Sequence, residues 1–135
     1  MSAWDRVVRG IIGVTGGLQV LLGVVFWTGH ALTLVPLHML LGLVFVLALL
    51  ALAVRSALAG AGWRISGLAA AWAVIVLVLG MTQARILPGP YHWVIGVLHL
   101  LVGIAAMGFA GRLTQALGRA RARRTAPDGL EAGVA

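Results

Sequence analysis

Three long stretches without acidic or basic side chains, apart from histidine, constrain this chain more than any other feature. They run from residue 10 to 54, from 65 to 84 and from 86 to 111. A helix of about 20 apolar residues crosses the hydrocarbon core of a bilayer, so the first stretch holds two such helices and the others one each. The sequence therefore predicts an all-α integral membrane protein, an up-down bundle of four transmembrane helices.

Proline and glycine mark the boundaries of these helices. Pro36 suits the first turn of a helix, where its missing N–H costs nothing, and Pro88-Gly89-Pro90 prevents a continuous helix. The predicted transmembrane domain covers residues 1–112, with helices at about 10–27, 36–54, 65–83 and 91–110. Residues 113–135 are predicted to be a basic cytoplasmic tail with a disordered end. Leu113 and Leu117 share a helical face, so helix four can continue into this tail.

The charged residues predict the orientation of the bundle. All ten basic residues are arginine, and the net charge is +7. Nine of them fall in the two tails and the second connection, which share one side of a four-span protein, and only Arg85 lies opposite. The positive-inside rule makes that side the cytoplasm, so both termini are predicted to be cytoplasmic, in an inner or plasma membrane. Membrane anchoring explains these arginines better than nucleic acid does, and the lipid bilayer is the predicted partner.

The composition also limits the chemistry that is available. Cysteine is absent, which excludes disulfides and thiolate metal sites. The three acidic residues lie in the two tails, so no carboxylate is placed within the membrane for proton-coupled transport or hydrolysis. Any enzymatic activity would therefore belong to a larger complex of which this chain is a subunit.

Histidines followed by glycine at helical spacing are the candidate functional residues. The three pairs are His38 with Gly42, His92 with Gly96, and His99 with Gly103. A flat macrocycle needs an axial imidazole from a helix face, together with a gap in the side chains where its edge approaches the backbone. Glycine one turn after a histidine supplies such a gap. A single histidine in a membrane helix is more often a packing residue, but three such pairs favour a cofactor site.

Helices two and four run in the same direction and lie diagonally across an up-down bundle, so their histidines can face each other. They would then ligate one b-type haem from opposite sides, as bis-histidine coordination requires. His38 with His99 is the first candidate pair, and His92 is the reserve partner of His38. His30 with His92 would hold a second haem nearer the outer surface. Arg85 is placed to pair with haem propionates, although a solvated loop cation explains it equally well.

The two halves of the chain also look alike. Pro36-x-His38-x3-Gly42 matches Pro90-x-His92-x3-Gly96, and each motif follows a helix and an outer connection of nearly equal length. This pattern predicts two hairpin repeats related by an axis along the membrane normal.

With these histidines and glycines, the chain resembles the small four-helix membrane cytochromes b that serve as quinol-linked anchors of respiratory complexes. The resemblance implies electron transfer through one or two b-type haems, with the quinone pool or another membrane subunit as partner. Two alternatives stay open. One is a non-catalytic accessory subunit that assembles a larger membrane complex and binds no cofactor. The other is a bacteriochlorophyll-binding subunit, in which single histidines ligate magnesium.

Overall fold

The computed structural model describes residues 3–125, which contain four long α-helices, two short 3-10 helices and no strand. The long helices are α1 (Ala3–Trp27), α2 (Val35–Leu58), α3 (Trp63–Thr82) and α4 (His92–Thr125). The 3-10 helices, Leu32–Leu34 and Gln83–Arg85, lie in the first and third connections. All four long helices are long and apolar enough to cross a membrane. The predicted all-helical class is confirmed, and the chain has the spans of a multi-pass membrane protein.

The helices pack as a closed ring with one diagonal contact. Each helix packs on the next in sequence, α4 returns to α1, and α2 and α4 also touch across the centre. Short connections reverse the chain between neighbours, so α2 and α4 run in the same direction. The predicted diagonal relation of the two histidine-bearing helices is therefore present in the structure.

Three helices extend beyond their predicted bounds, α2 by four residues to Leu58 and two others by more. Helix α1 begins at Ala3 rather than near Gly10, and α4 continues to Thr125 rather than ending near Ala110. The extension of α4 is held by packing, because Leu113 and Leu117 belong to the buried core. At 1.5 Å per residue, this helix is about 50 Å long and outreaches a hydrocarbon core of about 30 Å. The predicted disordered end of the tail, after Pro127, lies outside the described residues.

One buried carboxylate explains the early start of α1. Asp5 is 2% exposed, accepts a hydrogen bond from Arg55 of α2 at 2.9 Å and forms an ion pair with Arg121 of α4 at 2.6 Å. The Arg55 guanidinium also lies over the Trp4 ring, 5.1 Å from its centroid. These contacts join the ends of three helices. We call the end of the bundle that contains Asp5, Arg55 and Arg121 the arginine end, and the opposite end, which carries His38 and His99, the histidine end.

The buried core is concentrated toward the arginine end. Buried residues of α1 and α3 do not continue past Gly16 and Ala73, and those of α2 begin only at Phe45. In α4, Ile95 is the one buried residue before Val102. Within the part of the chain that the structure describes, the histidine end therefore has almost no fully buried side chains. His38 lies seven residues before Phe45, about 10 Å beyond the last buried layer of α2.

Candidate functional site: a histidine pair across the bundle

His38 and His99 meet across the diagonal between α2 and α4. Their ring centroids are 6.4 Å apart, and the ring planes are inclined at 57°. His38 lies in the first turn of α2. This helix begins directly after the 3-10 helix Leu32–Leu34 and has Pro36 as its second residue. His99 lies two turns inside α4. The structure thus brings together the two histidines that the sequence favoured as a ligand pair.

The facing rings carry unsatisfied nitrogens. Nδ1 of His38 and Nδ1 of His99 are both buried, and neither has a hydrogen-bond partner among the described residues. A polar atom without a partner is costly where neither water nor protein can satisfy it, and most costly within a bilayer. At this pair the described residues therefore leave a polar requirement open, which a bound group could meet. With metal–nitrogen bonds of about 2 Å on each side, the ring centroids of two opposed imidazoles lie about 6 Å apart.

The donor set fits a haem better than a bare metal ion. No group of three or more histidine, cysteine, aspartate or glutamate side chains gathers anywhere in residues 3–125. Two imidazoles alone leave a bare ion short of protein ligands, whereas a haem iron brings four equatorial nitrogens and takes two axial ones from the protein. An isolated pair of histidines on opposite helices therefore matches the requirement of bis-histidine haem ligation.

Gln19 and Phe26 of α1 complete the surroundings of His38. Gln19 Nε2 donates a 2.9 Å hydrogen bond to the His38 backbone carbonyl, which links α1 to α2. The Phe26 ring meets the His38 ring edge-on, with centroids 5.4 Å apart. Gln19 reaches this position because Gly42 has no side chain: a Cβ there would lie 2.5 Å from Gln19 Nε2. The gap beside Gly42 is thus filled by a protein side chain.

The other predicted glycines leave open space. A Cβ on Gly96 or Gly103 would meet no atom within 4 Å. The positions beside Gly96 and Gly103 are thus free of other side chains, whereas the position beside Gly42 is not. Sequence reasoning missed Gly80 of α3, whose Cβ position lies 3.4 Å from His99 Cε1. No histidine or special spacing marks Gly80 in the sequence.

The remaining candidate residues lie in or next to the connections at the histidine end. The His30 ring hydrogen bonds to Thr28 Oγ1 at 3.0 Å in the α1–α2 connection. His92 is the first residue of α4, and its Nδ1 donates to the Ile86 carbonyl at 3.2 Å. Arg85 is exposed and ends the 3-10 helix Gln83–Arg85. Both rings thus have local partners, in contrast to His38 and His99.

Comparison of the chain with protein-family models, with curated proteins and with solved structures finds no match.

Proposed function

We propose that this protein is a membrane b-type haem subunit that transfers electrons, with His38 and His99 as the axial ligands of one haem. The observation that carries the proposal is the pairing of these two rings across the bundle, each with a buried Nδ1 that has no partner among residues 3–125. The haem supplies one-electron chemistry when it is bound. The chain holds the two imidazole rings with their centroids 6.4 Å apart, close to the separation expected across a shared metal centre.

The packing of the histidine end also supports this role. A helical bundle usually fills the space between its helices with apolar side chains, as this one does at the arginine end. Around His38 and His99 few of the described apolar side chains are fully buried, and no atom lies within 4 Å of a Cβ position at Gly96 or Gly103 of α4. A haem placed here would supply the apolar bulk that the protein side chains do not.

The orientation of the chain is part of the same proposal. Most of the arginines lie at the arginine end, which the positive-inside rule assigns to the cytoplasm. Both termini are then cytoplasmic, and the haem lies toward the outer leaflet of an inner or plasma membrane. At that depth it can exchange electrons with the quinone pool or with a partner subunit. Arg85 lies in the connection between α3 and α4 at the same end of the bundle, where it can pair with the haem propionates. An origin of the two hairpins by duplication belongs to this wider proposal. The second haem that the sequence allowed is left out of it, because the His30 and His92 rings already bond to Thr28 Oγ1 and to the Ile86 carbonyl.

A visible absorption spectrum of the detergent-purified protein, expressed with haem supplied, tests the proposal. We expect sharp reduced α and Soret bands after dithionite, which His38→Ala and His99→Ala abolish. His30→Ala is the matched control, because it removes an imidazole from an exposed position and leaves the pair intact. Far-ultraviolet circular dichroism confirms that each variant is folded.

Three outcomes would contradict it. A colourless protein in the presence of haem favours the accessory-subunit alternative. A far-red band that does not respond to dithionite indicates a chlorin pigment instead. Haem bands that survive both substitutions in the pair place the cofactor elsewhere.

A further inference from the structure

A groove of about 670 Å³ opens between three helices at the arginine end. Trp4 of α1 forms one border, α2 forms the long wall, and the last turns of α4 form the opposite side. The groove lies at the opposite end of the bundle from His38 and His99. Its lining combines three arginines, Arg55, Arg121 and Arg124, with the apolar side chains of Ala51, Val54 and Leu58.

The groove carries an excess of positive charge. Asp5 is the only acidic residue in the described part of the chain, and it binds Arg55 and Arg121. Three guanidiniums against one carboxylate leave two formal positive charges. A guanidinium has five N–H donors, and one nitrogen of each of these two arginines bonds to Asp5. Arg124 donates to the Ala59 carbonyl at the end of α2 and so is held at the rim of the groove.

The apolar wall of the groove faces the lipid side of α2. Val54 and Leu58 are 57% and 82% exposed, although both are large and apolar. Arg55 lies 20 residues after Val35, which puts it about 30 Å along the helix axis, close to the thickness of a hydrocarbon core. The guanidiniums therefore lie at the level of the lipid headgroups, with an apolar surface running from them into the acyl region.

We infer that this groove binds one anionic phospholipid, with its phosphate on Arg121 and Arg124 and an acyl chain along Ala51 and Val54. Charge complementarity selects the headgroup, since a phosphate accepts the bidentate hydrogen bonds that guanidiniums offer. The apolar wall selects a lipid over a soluble anion, because a free phosphate would gain nothing from Val54 and Leu58. The inference does not depend on what His38 and His99 bind.

Native mass spectrometry of the full chain in detergent, titrated with dioleoylphosphatidylglycerol, measures this binding directly. Arg124→Gln removes a guanidinium that does not pair with Asp5, and we expect it to weaken phosphatidylglycerol binding by about fivefold to tenfold. Val54→Trp keeps every charge but fills the groove from its exposed wall, and it should weaken binding at least as much. Arg112→Gln is the matched control, because it removes the same charge from the same helix and Arg112 does not line the groove. It should leave the affinity unchanged.

Several results would overturn the inference. If Arg112→Gln weakens binding as much as Arg124→Gln does, only the overall positive charge attracts the lipid. If dioleoylphosphatidylcholine binds as tightly as phosphatidylglycerol, the arginines do not recognise the anionic headgroup. If inorganic phosphate at millimolar concentration displaces the lipid while Val54→Trp has no effect, the site is one for soluble anions.

Discussion

The buried carboxylate of Asp5 should be one of the most sensitive charged positions in the bundle, and Asp5→Asn tests this. The substitution keeps the shape of the side chain but removes its charge. It weakens a charge-assisted hydrogen bond to Arg55 at 2.9 Å and an ion pair with Arg121 at 2.6 Å, which join α1 to α2 and to α4. Because these contacts hold the ends of three helices together, their loss should destabilise the whole arginine end.

The expected loss follows from the exposure of the partners. Breaking a fully buried ion pair costs about 3–5 kcal/mol, whereas an exposed pair contributes about 0–1 kcal/mol. Asp5 is 2% exposed, but the side chains of Arg55 and Arg121 are 40% and 36% exposed and recover part of their hydration when the carboxylate is lost. Two pairs of this mixed kind place the cost of Asp5→Asn at about 2 kcal/mol, or about a 30-fold shift in the unfolding equilibrium.

Titration with sodium dodecyl sulphate in mixed micelles, followed by far-ultraviolet circular dichroism, gives the free energy of unfolding for this comparison. The matched background is Arg55→Gln with Arg121→Gln, in which both ion pairs are already missing and Asp5→Asn should cost much less. A loss below about 0.5 kcal/mol in the native background would refute the reasoning. So would an equal loss in both backgrounds, since the cost would then not arise from these two pairs.

Two further predictions concern packing between helices. Gly16→Leu should cost about 1–3 kcal/mol through overpacking, because a Cβ at Gly16 would lie 2.7 Å from Met107 Sδ and 3.3 Å from Phe45 Cε2. Gly17→Leu is its control, because no atom lies within 4 Å of that Cβ position, and a comparable loss there would show that packing is not the cause. Trp72→Phe should cost about 1 kcal/mol, because it removes the 2.9 Å hydrogen bond from Trp72 Nε1 to the Val102 carbonyl, which links α3 to α4. Trp63→Phe, at a 76% exposed position, should change the same denaturation midpoint little, and equal shifts in the two variants would contradict the role of the hydrogen bond.

The number and class of the helices could be predicted from the sequence, because a membrane span must satisfy its backbone internally over about 20 apolar residues. The ends of α1 and α4 could not. Asp5 and its partner Arg55 are 50 residues apart, so nothing local shows that the first turn is held in place. The arginines between residues 112 and 124 resemble a solvated tail until Leu113 and Leu117 are seen to be buried.

The histidine site could be predicted in part. Helical spacing and the common direction of α2 and α4 indicated that their histidines can meet, but left His92 and His99 both open as partners of His38. The structure places His92 at the first residue of α4, against the Ile86 carbonyl, and the His99 ring beside His38. Which residues of α2 and α4 lie at the same level along the bundle axis depends on the connections and the packing. The spacing of residues within one helix does not show this. For the same reason Gly80 of α3, which approaches His99, carried no signal.

Because the buried core lies mainly at the arginine end, variants of His38 and His99 should keep their fold. Core residues that resist unfolding, such as Leu49, Leu52 and Leu113, lie toward the arginine end and are almost completely buried. His38 and His99 lie beyond that core, among side chains that are mostly half-buried or exposed, so truncating either one removes little packing. The fold of such a variant should therefore persist, because it depends on contacts at the other end. A chromophore lost from His38→Ala or His99→Ala would then report the loss of a ligand and not the collapse of the bundle.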